Sequence, residues 1–248
     1  MDDDDLLTRA AANCAGAYRY WAQAMGRPAR LWDDLSVGDL GLPVTLPPNN
    51  ATLLRPATDF ADVLERVSSF FAESPGGGYE IWSIWPTPDL SAEGFESYPC
   101  PCMIRDAGGE RRPVPPELEI VEALDAPSVR AAEQLLDEVF GCASPEQGSL
   151  IESSIISDEF RVWVGFVDDR PMSTATAYVG DGFVGVYAVA TAADARGHGY
   201  GEALTWAATT YRPDLPATLQ ASSMGRPVYE RMGYRTVTDF TVWDRETR

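Results

Sequence analysis

The stretch that most constrains this chain runs from Val184 to Tyr211, VGVYAVATAADARGHGYGEALTWAATTY. Val184 to Thr191 is rich in valine with one tyrosine, a composition that favours an extended, packed strand. Asp194, Arg196, Gly197, Gly199 and Gly201 follow closely and break it. Tyr200, Ala203, Leu204, Ala207, Ala208 and Tyr211 then recur at helical spacing, so an apolar stripe begins inside the glycine segment. The glycines therefore sit at a helix N-terminus. The first amides of a helix lack intrahelical acceptors and carry the positive end of its dipole. Glycines there keep Cβ atoms out of the way of an approaching phosphate, and Arg196 adds a fixed charge. A tight turn without a ligand is the competing reading. Two other phosphate sites are excluded: the glycine spacing is not that of a dinucleotide fingerprint, and a P-loop needs a lysine, of which the chain has none.

Arg196-Gly197-His198-Gly199-Tyr200-Gly201 after a valine-rich strand resembles the acetyl-coenzyme A motif of the GCN5-related N-acetyltransferase (GNAT) superfamily, Gln/Arg-x-x-Gly-x-Gly/Ala. Pro227 to Tyr234, PVYERMGY, resembles that family's later helix and strand, written Tyr-Glu-x-x-Gly-Phe/Tyr. The two segments come in the family's order, and the resemblance spans Glu117 to about Trp243. It implies an α/β fold with a mixed, mainly antiparallel sheet flanked by helices, and direct transfer of an acetyl group from acetyl-CoA to an amine.

The resemblance also implies roles. Backbone groups of Val189, Ala190 and Thr191 would pair with the pantetheine arm. The amides of Gly197, His198, Gly199, Tyr200, Gly201 and Glu202 would hold the diphosphate, with Arg196 supporting the turn. Tyr229 would protonate the departing thiolate, and the Val189 amide would polarise the thioester carbonyl. Ser222 stands where many members carry an asparagine that touches the cofactor, so one shorter contact is expected there. His198 occupies a variable position and is expected to face phosphate or solvent. No residue has the signature of a general base. Tyr187, Glu152, Asp158 and Glu159 are open candidates, as is deprotonation relayed by solvent.

A net charge of −19 argues against nucleic acid or an anionic membrane as partner and favours a small cationic acceptor, although an acidic surface also serves solubility. Apolar residues make up 45% of the chain, so a buried core is expected. The sequence shows no signal-like segment and no apolar run long enough to span a bilayer, which gives the expectation of a cytoplasmic protein, monomer or homodimer. Cys14, Cys100, Cys102 and Cys142 read as free thiols, and with one histidine no metal site is expected.

In the first half, Leu6 to Met25 reads as a helix behind a solvated acidic tail, Asp2 to Asp5. Leu35 to Asn50 reads as irregular connection, with a short extended piece as an alternative. Asp59 to Ala72 is a helix capped by Asp59, followed by a Pro75-Gly-Gly-Gly turn and a strand at Tyr79 to Trp85. Cys102 to Arg105 is a further short strand. Trp82 and Trp85 read as sheet aromatics more readily than as a ligand groove. The segment 1–116 carries no catalytic motif and is an α/β domain that could be a degenerate copy of the same fold. Asp106 to Pro116, DAGGERRPVPP, marks a boundary to a transferase domain at 117–248.

In the second half, the sequence predicts a strand at Leu118 to Ala123 and a helix at Ser128 to Phe140. A loop follows from Cys142, Ile151 to Ser157 is ambiguous, and Phe160 to Val167 and Met172 to Val179 form a hairpin. After the glycine helix come a strand from Pro216, a short helix at Pro227 to Met232 and a last strand from Tyr234. Two other readings stand beside the enzyme: a non-enzymatic acyl-CoA-binding regulatory module, and an acyltransferase that takes a longer acyl-CoA.

Overall fold

A computed structural model of the chain describes residues 3–41, 49–74, 78–110, 112–141 and 150–245. The elements are α1 (Asp3–Ala24), β1 (Ala29–Leu31), β2 (Leu35–Gly38), β3 (Asn50–Leu53), α2 (Phe60–Phe71), β4 (Tyr79–Ser83), β5 (Glu96–Arg105), β6 (Glu119–Glu122), α3 (Ala126–Phe140), β7 (Phe160–Val167), β8 (Arg170–Gly180), β9 (Phe183–Thr191), α4 (Tyr200–Thr209), β10 (Ala217–Gln220), α5 (Arg226–Arg231) and β11 (Arg235–Arg245). All eleven strands form one sheet in the order β1-β2-β3-β4-β11-β5-β10-β9-β8-β7-β6.

Local chemistry explains most boundaries. Asp59 caps α2 by accepting from the amides of Ala61 and Asp62. Asp125 and Ser128 form a reciprocal capping box at α3, which ends at Gly141 in the left-handed conformation. On α2, Val63, Val67 and Phe71 pack on Leu35, Ala51, Leu53 and Ile81, while α1 and α3 share a core on the opposite face that includes Cys14, Tyr18, Ala132 and Leu136.

The order of elements repeats. From α1 the chain runs helix, three strands, helix, strand, short helical turn (Ser91–Glu93), strand; from α3 it runs helix, three strands, helix, strand, short helix, strand. The pairings repeat too: β1-β2 and β7-β8 antiparallel, β2-β3 and β8-β9 antiparallel, β3-β4 and β9-β10 parallel. The last strands are exchanged, since β11 pairs with β4, β5 pairs with β10, and β5 and β11 pair with each other at the centre. The sheet is therefore continuous across the sequence division at residue 116.

Several expectations need correction. Asp4 and Asp5 belong to the first turns of α1 rather than to a tail, and Asp5 lies 3.7 Å from Arg9. The connection from Leu35 holds β2 as its short extended piece, whereas β1 and β3 carried no sequence signal because each is only three or four residues long. Ser153–Ile155 is a 3-10 turn. The short strand at Cys102 is the end of the ten-residue central strand β5. Prolines argue against a central strand, yet Pro99 and Pro101 are accommodated there. The Pro101 carbonyl accepts from Ala221 N at 3.0 Å, so the odd residues of β5 direct their backbone groups toward β10. β10 pairs with Cys102 to Arg105 and Pro101 still accepts from Ala221, so what the prolines lack is a donor at the end of that ladder, where the strands part. The turn at 75–77 and the loop at 142–149, with Cys142, lie outside the described residues.

Candidate active site

The site grows out of β9. This strand pairs with β10 at only two positions, Val184↔Ala217 and Gly185↔Thr218, and the two strands then part. On its other side β9 slips register against β8 between Thr174 and Thr176, and Ala188 takes φ 47°. The extra residue is a β-bulge, which re-aims the backbone around Val189 away from a regular ladder. Ala190 is buried, Val189 and Thr191 half-buried.

After a short 3-10 turn (Ala193–Ala195) the chain enters the glycine segment. Gly197 and Gly199 have φ 84° and 81°, values that a side chain would strain, and α4 begins immediately after Gly199 without any side-chain cap. The space around Gly197 is open, with no atom within 4 Å of where a Cβ would lie. At Gly201 a Cβ would come within 2.8 Å of Thr191 Oγ1, so the helix start can lie this close to the end of β9 only without one. The flanking side chains turn aside. His198 Nδ1 lies 3.3 and 3.2 Å from the carbonyls of Ala195 and Arg196, and its ring stacks on Tyr200. Tyr200 donates to Glu117, Glu202 faces Arg112 and Arg231, and Arg196 Nε reaches the Thr191 carbonyl at 3.4 Å. The uncapped amides and the missing Cβ atoms make a cradle that suits a diphosphate. Helix α4 is more enclosed than a single stripe predicts, because Thr205, Trp206 and Thr209 are buried as well.

Where β9 and β10 part, a cavity of about 900 Å³ opens. Tyr229 of α5 lines it; its ring is buried, burial alone pushes its hydroxyl up to about 12, and among the described residues that hydroxyl has no hydrogen-bond partner. A tyrosine held neutral at physiological pH can donate a proton to a developing anion. Ser222, also on the wall, accepts from Gly225 N at 3.1 Å.

The base candidates separate. Tyr187 is on the cavity wall, but its hydroxyl donates to Asn13 Oδ1 at 2.7 Å and burial holds its pKa well above the usual phenol range. Asp158 pairs with Arg161 at 2.6 Å, and neither it nor Glu152 or Glu159 lines the cavity. No motif in the first half pointed to a contribution, yet Tyr18, Trp21, Leu40, Trp82 and Tyr98 to Pro101 form one side of the same cavity. Trp82 is thus both core and cavity wall. Among the described residues no cluster of His, Cys, Asp or Glu could hold a metal ion.

Residues 129–234 match the Acetyltransferase (GNAT) family. Those residues are a GNAT acetyltransferase domain. Most of the chain superposes on solved structures of the same fold. A GCN5-related N-acetyltransferase from Kribbella flavida gives a TM-score of 0.64 at 19% identity, covering 96% of each chain. One from Sphaerobacter thermophilus gives 0.58 at 12% identity over 86% of this chain and 76% of that one. A GCN5-related N-acetyltransferase-like protein from Streptococcus suis gives 0.56 at 16% identity, covering 88% and 89%. At these identities the likeness shows the fold, here with both halves included. No curated protein sequence matches the chain.

Proposed function

We propose that the protein is an acetyl-CoA-dependent N-acetyltransferase acting on a primary amine of a small cationic molecule. One observation carries the reading: an uncapped, glycine-lined helix start lies at the end of the strand whose separation from β10 opens a cavity with a buried tyrosine on its wall. Acetyl-coenzyme A supplies the activated thioester. The amides of Gly197 to Glu202 bind its diphosphate, with Arg196 at the mouth. Val189, Ala190 and Thr191 pair with the pantetheine arm as an added strand would, and the Ser222 hydroxyl donates one contact. The bulged backbone at Val189 turns its amide toward the carbonyl that becomes negative during attack. Tyr229 gives its proton to the leaving sulfur, and the amine loses its own to solvent in the cavity, the protein's part being to hold the two reactants together. The net charge of −19 draws a cationic acceptor, so added salt raises KM for it.

An open cavity supports the enzyme over a binding module, which has no use for an acceptor space. The test is incubation with acetyl-CoA and a panel of primary amines, reading free thiol and the mass of the acceptor, with longer acyl-CoA donors run in parallel to set the chain-length preference. Acetyl-CoA is expected to raise the melting temperature. A shift without thiol release for any amine returns the module; no shift at saturating acetyl-CoA sinks both.

A further inference from the structure

Gln220, the last residue of β10, has a side chain that the fold itself does not use. Ala217, Leu219 and Ala221 pack in the cluster that holds α4 and Tyr229. Thr218 points the other way, its Oγ1 3.9 Å from Cys102 Sγ, and Cys102 belongs to the core shared with α1. By strand alternation Gln220 faces that same side. It lies beyond Thr218, the last β10 residue paired with β9, and lines the cavity where the strands part. Its Oε1 and Nε2 are both enclosed, and neither has a hydrogen-bond partner among the described residues. A buried amide left unpaired destabilises a fold, and replacing it with an apolar group of similar shape is neutral or favourable.

The surroundings say what this amide meets. On the α1 side the walls are Tyr18, Trp21, Trp82, Leu136, Phe140 and Tyr187. None carries a formal charge, and the Tyr187 hydroxyl is already committed to Asn13. Among the described residues the charged groups on the cavity wall are Arg226 of α5 and Asp239 of β11. A polycation finds one carboxylate among them, whereas a single ammonium on an aromatic body finds ring faces to stack on.

We infer that Gln220 is an acceptor-binding residue: its amide holds the polar end of an amine substrate whose body is apolar and ring-bearing. The inference rests on the transferase reading above and narrows its acceptor. On binding, the side chain turns its amide, enclosed in the free protein, into the cavity, where Oε1 accepts an N–H from the amine, fixing the direction of the nitrogen, and Nε2 remains to donate to an oxygen on the substrate.

The test uses the full chain and its Gln220→Leu and Gln220→Met variants, with acetyl-CoA as donor and 2-phenylethylamine and spermidine as probes. The wild type is expected to acetylate 2-phenylethylamine with the higher kcat/KM. Both variants should lose at least ~10-fold in that ratio, through KM, since a lost hydrogen bond to an ionised or polar ligand group has about that size. Acetyl-CoA affinity should stay within about twofold. The ligand-free variants should melt no lower than the wild type and up to ~2–4 °C higher, because the unpaired amide is gone. A fall in melting temperature would assign Gln220 to the core, and loss of acetyl-CoA affinity would assign it to the carrier arm; either overturns the proposal. So do unchanged kinetics in both variants, a preference for spermidine, or a wild type that binds acetyl-CoA but acetylates neither probe. A wild type that binds no acetyl-CoA brings down the transferase reading itself, a result recognisably different from all of these.

Discussion

The two copies of the helix–strand unit share a topology and differ at the points where chemistry is possible. At the start of α4 the amides are uncapped and bordered by left-handed glycines; at the equivalent start of α2, the Asp59 carboxylate accepts from Ala61 N at 3.0 Å and Asp62 N at 3.4 Å. A carboxylate already seated there excludes a phosphate, both by occupying the donors and by charge. The parallel strands differ in the same sense. In the first copy β3 pairs with β4 at Asn50, Ala51 and Thr52, most of its length, and β2 and β3 stay in register. In the second, β9 leaves β10 after two residues and carries the bulge at Ala188. Where α5 presents Tyr229, the first copy has only the turn Ser91–Glu93. Topology alone therefore does not make the site. The first copy is a closed version that instead supplies α1, β4 and β5 as the far wall of the cavity.

The contrast can be broken experimentally. The largest effect is expected from Tyr229→Phe, which should lower kcat by ~10²- to 10⁴-fold while leaving acetyl-CoA affinity nearly unchanged. An equal loss in a binding titration would move Tyr229 from chemistry to packing.

Next comes Glu80 of the closed copy, which is buried, accepts from Trp82 Nε1 and Tyr98 Oη, and lies across from Asp244 of β11. Burial, partly offset by these two donors, raises its carboxyl from 4.5 to about 7. The fold thus holds the neutral form better than the unfolded chain does. Its stabilisation is complete below about pH 4.5 and is lost as pH rises through about 7. Glu80→Gln, neutral at every pH, should therefore be the more stable protein at pH 8 by about 2–3 kcal/mol, with the difference vanishing below pH 4.5. Parallel melting curves across this range would disprove a buried titrating carboxylate.

Transplanting the cap of α2 onto α4 tests the comparison most directly. Gly199→Asp should weaken acetyl-CoA binding more than ~10-fold relative to Gly199→Ala, which shares the strain of a side chain at φ 81° but lacks the carboxylate that competes for the amides and repels phosphate. Unchanged affinity would mean the diphosphate binds elsewhere. The reciprocal change, Asp59→Ala, should cost about 1 kcal/mol of stability, a drop of ~2–4 °C, and leave acetyl transfer as it was. If transfer fell as well, the closed copy would hold more of the active site than its wall.

Much of the second copy was legible because its signals are local. The apolar period from Tyr200, the glycines that require φ above zero and the short helix from Pro227 to Met232 closed by Gly233 each specify structure within a dozen residues. The helix of the first copy was legible for the same reason, through Asp59 and the spacing of Val63, Val67 and Phe71. By contrast β1, β3 and the length of β5 were not, since short strands and a strand with two prolines carry no period of their own and exist by virtue of their neighbours.

Local sequence sufficed for a strand, a glycine turn and a helix able to present free amides, while the role expected of Tyr229 came from the family resemblance. The exchange of β5 and β11, the closing of one side of the cavity by α1 and Trp82, and the placing of Gln220 on that side with no partner among the described residues became visible only once the chain was folded. The physical reason is range. Backbone conformation and helix caps are decided by adjacent residues, whereas the pairing of strands 100 residues or more apart, such as β5 with β10 and β11, depends on which sheet edges are left to satisfy.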